Sequence, residues 1–308
     1  MAQETTSPPP PIRRNLFRNP VVVKELRSRM RGHRAFAVLT LYLLALSGVA
    51  VLVYLAYLSG SSAPGSTQGY TVGKGLFAAV LGVQIILVAF IGPAFTAGAI
   101  SGERERQTFD ILKTTLLSPH AFVLGKLISA LSYIFLLVLV SIPVQSIAFL
   151  LGGLSPVELV LSQLVILVAA VTYALYGLWC SATMRSTVAA TVATFAGMLL
   201  VLLGLPLFAL LLLFVLGIPF GLSTGGPLFE IILVYGGLAL AATNLPATLV
   251  VSELFLLQQD TLFAYSQLIG GRTIWVFSPW WMFIIVHLIA AVALYADTVR
   301  RVRQVSDV

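Results

Sequence analysis

Charge is scarce in this chain: Asp, Glu, Lys and Arg together make up 9% of its 308 residues, against roughly 25% in soluble domains. That excludes an ordinary water-soluble globule, and 59% hydrophobic residues point to an integral membrane protein. A single cysteine, Cys180, rules out an intrachain disulfide and sits in an apolar stretch as a small packing residue. With three histidines and no H-E-x-x-H pattern, the chain lacks the usual ligands of a zinc hydrolase. A phosphate-binding P-loop is absent too: the nearest strings, around Gly69 to Gly75 and Gly125-Lys126-Leu127, have the wrong spacing or lack the Ser/Thr hydroxyl. The chain is therefore expected to be no enzyme in its own right, with no metal or cofactor site.

What the chain has instead is long apolar runs. Stretches able to cross about 30 Å of hydrocarbon lie at residues 36–58, 75–100, 123–151, 157–183, 188–216 and 280–299. A seventh run, residues 228–251, contains Glu230, Asn244 and Pro246, which are poor lipid-facing residues. The fold class expected is all-α: a polytopic membrane protein of six transmembrane helices.

Basic residues set the orientation. Arg13, Arg14, Arg18, Lys24, Arg27, Arg29, Arg31 and Arg34 precede the first span, and Arg300, Arg301 and Arg303 follow the last. The positive-inside rule places both termini in the cytoplasm of a cell membrane. Six crossings put every basic cluster inside. A crossing by residues 228–251 would invert the tail, so that run is expected to be an external re-entrant or interfacial helical element. Non-helical backbone near Asn244 and Pro246 is tolerable at membrane depth only when buried in protein or facing water.

The N-terminal region divides into a Pro/Arg-rich tail, residues 1–18, and a segment, residues 19–34, that opens Asn19-Pro20. That pair is a helix start signal. At helical spacing Val22, Val23, Leu26 and Met30 share one face beside a stripe of Lys24, Arg27, Arg31 and Arg34, the pattern of an amphipathic helix lying on an anionic membrane surface. Glu25 falls within it. No cleavable signal sequence is evident before the first span.

The densest charge cluster lies between the second and third spans, at residues 101–120. Glu103, Arg104, Glu105 and Arg106 follow Ser101, with Asp110 and Lys113 beyond. Ser101 is placed to cap a helix whose first turn is acidic, as the helix dipole favours. On its other face Thr108, Phe109, Leu112 and Leu116 align as an apolar strip, a suitable knob for a groove on a soluble subunit. A solvated loop helix resting on its own bundle fits the same periodicity. His287, the one imidazole in a span, reads as an interhelical hydrogen-bonding residue. Asp297 reads as an ion-pair partner of Arg300 or Arg301.

With NPVVVKELRSRMRG before the first span, ISGERERQTFDILKTTLLSP after the second and SPWW opening the last, the chain resembles the membrane-spanning permease of type-2 ATP-binding-cassette (ABC-2) exporters. That resemblance implies a permease subunit that pairs with a second permease copy and is driven by two separate ATP-binding subunits, which hold the ATP and magnesium. It implies no nucleic-acid partner, and membrane lipid as the surroundings. In such transporters the loop after the second span is a coupling helix. Carried onto this chain, Glu103, Arg104, Glu105 and Arg106 would make polar contacts with the ATPase, and Phe109, Leu112 and Leu116 would be its apolar anchors. The interfacial helix would carry Lys24, Glu25, Arg27 and Arg31. Gln84, Thr191 and Thr194, on the second and fifth spans, would line the pathway. Family members commonly have glycine where Gln107 stands and proline where Leu116 stands, so the loop helix is expected to run unbroken for longer here. The rival readings are an ion-coupled secondary transporter and a non-transporting membrane anchor or assembly subunit.

Overall fold

The computed structural model describes residues 33–60, 68–107, 118–152, 154–215, 226–259, 261–269 and 271–306. The N-terminal tail, the side chains of Lys24, Glu25, Arg27 and Arg31, and the strip of Phe109, Leu112 and Leu116 lie outside the described residues.

Helices dominate. Six helices are long and apolar enough to cross a membrane, which makes the chain a multi-pass membrane protein of essentially all-α architecture. They are α1 (His33–Gly60), α2 (Gln68–Thr96), which leads through a tight turn into the short α3 (Ser101–Glu105), α4 (Pro119–Leu150), α5 (Pro156–Thr183), a fifth span made of α6 (Thr187–Leu199), a π-turn (Leu200–Gly204) and α7 (Leu205–Val215), and a last span α10 (Pro279–Ser306). Between the fifth and sixth spans come α8 (Pro227–Ala241), α9 (Leu245–Gln259) and a hairpin of β1 (Ala264–Ile269) and β2 (Arg272–Phe277).

Start signals written in the sequence set several of these boundaries. Ser118 caps α4 by accepting from the Ala121 N–H at 3.3 Å, with Pro119 next in line. Ser155 and Glu158 form a reciprocal capping box at the head of α5, again with proline at the first helical position. Ser186 accepts from the Ala189 N–H at 3.2 Å and opens α6. The spans run past the apolar stretches from which they are recognised. Helix α2 begins at Gln68, not at residue 75, so Lys74 lies inside it and not in the loop. Helix α1 begins at His33, within the segment 19–34.

Helix α5 is the axis of the bundle, packed against α2, α4, α6 and α10. Its inner face of Val165, Ile166, Ala169, Ala170 and Tyr173 meets Val80, Val88 and Ala89 of α2 and Tyr133, Ile134 and Leu137 of α4. Gly177 brings α2 and α5 into backbone contact, since a Cβ there would stand 2.2 Å from Thr96 Oγ1 and 3.2 Å from the Pro93 carbonyl. One polar lock crosses this apolar interior. Gln84 donates to Gln163 at 2.9 Å, Gln163 to Gln145 at 2.9 Å and Gln145 back to Gln84 at 2.8 Å, a closed ring of three buried carboxamides on α2, α4 and α5. At the periphery the fifth span leaves Val188, Val192, Leu211 and Phe214 exposed, an apolar surface suited to hydrocarbon.

Residues 228–251 form no single span. The two helices α8 and α9 have 15 residues each, about 22 Å at 1.5 Å per residue, which is short of the hydrocarbon thickness. The turn between them is buried at Asn244, as the sequence requires of irregular backbone at membrane depth. Asn244 accepts from the Ala247 N–H at 3.1 Å, capping α9, and donates to the carbonyls of Val201 and Leu202 at 3.0 Å each. The β-hairpin that follows is a small addition to the helical plan. Its strands pair antiparallel from Ala264 opposite Phe277 to Ile269 opposite Arg272, closed by a tight turn in which Gly271 takes φ +81°. Such left-handed backbone costs glycine nothing.

Candidate functional site

The charged cluster after the second span is a joint between helix ends. Its first residue, Ser101, does not cap: Ile100 holds the N-cap position of α3 and no side chain caps it. The buried Ser101 hydroxyl lies 3.2 Å from that of Ser181 instead. The Ser181 oxygen accepts from the backbone N–H groups of both Ile100 and Ser101 at 2.9 Å. Two donors that a short helix start would leave without partners are satisfied by a hydroxyl on α5.

Glu103, Arg104 and Glu105 each reach a different element. Glu103 pairs with Lys126 of α4 at 3.0 Å, and the lysine is itself buried. Arg104 donates to the Ala182 carbonyl at 3.3 Å and the Met184 carbonyl at 3.4 Å. Those carbonyls close the C-terminal end of α5, where a cation is favoured by the helix dipole. Glu105 accepts from the Thr187 N–H at 2.7 Å and from the Thr187 hydroxyl, placing its charge on the N-terminal turn of α6. One turn of helix thus ties α4, the end of α5 and the start of α6. Arg106 and Gln107 complete the described part of the loop and are exposed.

Helix α3 stops at Glu105 and does not continue unbroken. Gln107 takes φ +56°, and its N–H donates to the Arg104 carbonyl at 3.1 Å. A left-handed residue just past the helix is the commonest way to terminate one, and glycine is the residue that does it at least cost. Gln107 therefore holds a backbone conformation that favours glycine.

A second set of contacts closes the same end of the bundle. Asp297 of α10 accepts from the Arg301 Nε and from the Trp179 indole N–H, each at 2.7 Å. The guanidinium of Arg301 lies over the Trp179 ring at 5.7 Å. The ion pair that the sequence suggests for Asp297 is present, with an indole as further donor. His120, at the head of α4, lies 3.0 Å from the Tyr295 hydroxyl.

The residues proposed to line a pathway each make a hydrogen bond within the bundle. Gln84 is consumed in the carboxamide ring, Thr194 is buried and donates to the Ala190 carbonyl, and Thr191 donates to the Thr187 carbonyl. His287 departs from its reading: its ring nitrogen meets the Phe283 carbonyl of its own helix at 3.0 Å, and the bond between helices runs from the Thr172 hydroxyl to the His287 backbone carbonyl. Ser181, Lys126 and Thr187 were missed as partners of the cluster. They are ordinary residues 23 to 82 positions away from it, with no local signal to single them out. Lys74, Glu158 and Glu253 stand at the edges of the apolar runs 75–100, 157–183 and 228–251, where charge is expected, so nothing local singles them out as partners. Among the described residues no cluster of His, Cys, Asp and Glu could hold a metal ion.

No family model and no curated protein matches this chain.

Proposed function

We propose that this chain is the permease subunit of an ATP-driven exporter of the ABC-2 type, pairing with a second permease copy and powered by separate ATP-binding subunits. Both termini would then be cytoplasmic, and the loop at residues 101–120 would receive the ATPase. The observation that carries this reading is the joint at Ser101–Glu105. A force applied to the loop would reach Lys126 on α4, the carbonyl end of α5 and the first turn of α6 through direct hydrogen bonds and an ion pair. A solvated loop has no need of such attachments to three span ends. In this reading Glu103, Arg104 and Glu105 transmit displacement within the permease, while Arg106, Gln107 and the strip of Phe109, Leu112 and Leu116 face the partner. The exposed fifth span suits lipid or the second permease copy.

The test is co-purification of the tagged chain with an ATPase from its native membrane, followed by two variants. Leu112→Asp is expected to abolish assembly with the ATPase or to uncouple hydrolysis from transport while the spans remain inserted. It removes apolar burial of roughly 1.5 to 3 kcal/mol and sets an unpaired carboxylate in its place. Lys113→Ala is expected to leave assembly near wild type. Equal assembly and transport in both variants would remove the docking role from this loop, and with it the exporter reading.

A further inference from the structure

At the end of the bundle opposite the joint, α2, α5 and α9 line a partly open cavity of about 270 Å³. The two ends are far apart: from Lys74 to Thr96 along α2 is about 33 Å at 1.5 Å per residue. The cavity has an apolar body, including Phe77, Leu81 and Ile85 of α2, Leu161 of α5 and Leu249 of α9. Its polar end holds Lys74, Glu158, Glu253 and Ser252.

That polar end carries unbalanced charge. Lys74 Nζ lies 3.0 Å from Glu158 and also pairs with Glu253, so one ammonium serves two carboxylates. Glu158 has a further donor in the Ser155 N–H, whereas Glu253, the most accessible of the three side chains at 28%, has Lys74 as its one partner among the described residues. Beside it the Ser252 hydroxyl is buried and has no hydrogen-bond partner among the described residues. A buried hydroxyl is normally bonded, and Ser252 is one of the residues around the cavity. A half-buried carboxylate in excess of its cation and an unused hydroxyl together make a receptor for a positively charged N–H donor.

We propose that this cavity binds an amphiphile with a single primary ammonium head and an apolar tail. The ammonium bonds Glu253 and the Ser252 hydroxyl, bringing two carboxylates into balance with two cations, and the tail lies along Phe77, Leu81 and Leu249. An anionic amphiphile is disfavoured, because Lys74 is already held by two carboxylates. A doubly charged head would overshoot the balance. The ammonium can belong to a long-chain amine resident in the bilayer or to a free alkylamine, since both present the same chemistry to the site; the phosphate of a phospholipid headgroup would restore the excess of negative charge. This inference concerns binding by the chain alone and stands apart from the exporter reading.

The experiment measures saturable binding of radiolabelled decylamine to the full chain in phosphatidylcholine nanodiscs, with empty nanodiscs subtracted. The expected result is one site per chain, in which decanoate and decanol fail to compete. Glu253→Gln should weaken binding at least about ten-fold, the scale for removing one partner of a desolvated charge pair. Lys74→Gln should strengthen binding, because it frees carboxylate for the ligand. That sign separates this proposal from an anion site, where loss of lysine must weaken binding. Should a charge variant fail to fold, Leu249→Trp, which fills the apolar body, must abolish binding, and Ser252→Ala must weaken it. Octadecylamine held in the nanodisc bilayer competing with decylamine would identify a bilayer-resident amine as the ligand, and failure to compete would identify a free amine; each supports the amine site. Unchanged affinity in both Glu253→Gln and Leu249→Trp, weaker binding in Lys74→Gln, or effective competition by decanoate would overturn it.

Discussion

The Asn244 carboxamide donates to the Leu202 carbonyl at 3.0 Å, the carbonyl whose α-helical donor would be residue 206. Residue 206 is a proline and has no N–H to give. The fifth span meets this loss with a π-turn at Leu200–Gly204, and the buried turn between α8 and α9 supplies the missing donor. Two irregularities, each costly alone in hydrocarbon, satisfy one another.

Asn244→Ala should therefore destabilise the fold by about 1 to 3 kcal/mol, since it removes both the cap of α9 and the donor to two buried carbonyls. Asn244→Asp keeps the capping oxygen but not the donor. Hydrogen exchange should show α9 loosened in the alanine variant and the π-turn region loosened in both. Protection unchanged at residues 200–206 would show that Asn244 serves α9 alone.

The ring of Gln84, Gln145 and Gln163 predicts non-additivity. Any single change to leucine leaves two carboxamides short of partners and should cost about 1 to 3 kcal/mol. The triple leucine variant removes every member at once and should cost much less than the sum of the three singles. Thermal melting in detergent reads the difference, and additive losses would mean that the three amides do not act as a closed set.

Gln107 holds left-handed backbone without the freedom of glycine. Gln107→Gly should raise stability by about 0.5 to 1 kcal/mol, and Gln107→Val should lower it by about 1 kcal/mol or more. A melting series over the two variants checks the order. If valine is tolerated as well as glycine, the turn after α3 is not the determinant of where that helix ends.

Orientation is checked by labelling from outside the cell in a Cys180→Ser background. Leu268→Cys, exposed on the β-hairpin, should react with an impermeant thiol reagent in intact cells. Gln304→Cys, at the far end of α10, should react only after the membrane is opened. The reverse pattern would invert the topology and place the Ser101–Glu105 joint outside.

Much of this architecture is legible in the chain alone, because its causes are local. An apolar run of sufficient length must cross or be buried, so six spans and their order follow from composition. Ser-Pro and Ser-Pro-x-Glu signals act within one turn of helix, so the starts of α4 and α5 can be read residue by residue. The irregular character of residues 228–251 follows from Glu230, Asn244 and Pro246. The hairpin lies outside the all-α expectation, and the Gly270-Gly271 pair flanked by β-formers is the signal that marks it. Partnership was not legible. Glu103, Arg104 and Glu105 form one charged run in sequence, and only the packing of α5 against α2 at Gly177 brings Ser181, Ala182, Met184 and Thr187 within reach of it. Gln84 is a polar residue in a span by sequence and becomes part of a lock only because Gln145 and Gln163 arrive from two other helices. Lys74 and Glu253 are 179 positions apart and meet only in the folded bundle. The sequence by itself determined which segments are apolar enough to cross a membrane and carries the capped starts of α4, α5 and α6, since hydropathy and capping act over one span or one turn. The tertiary structure decided which polar groups satisfy one another, because in a low-dielectric interior each must find a partner and the nearest is set by helix packing, whatever the distance along the chain.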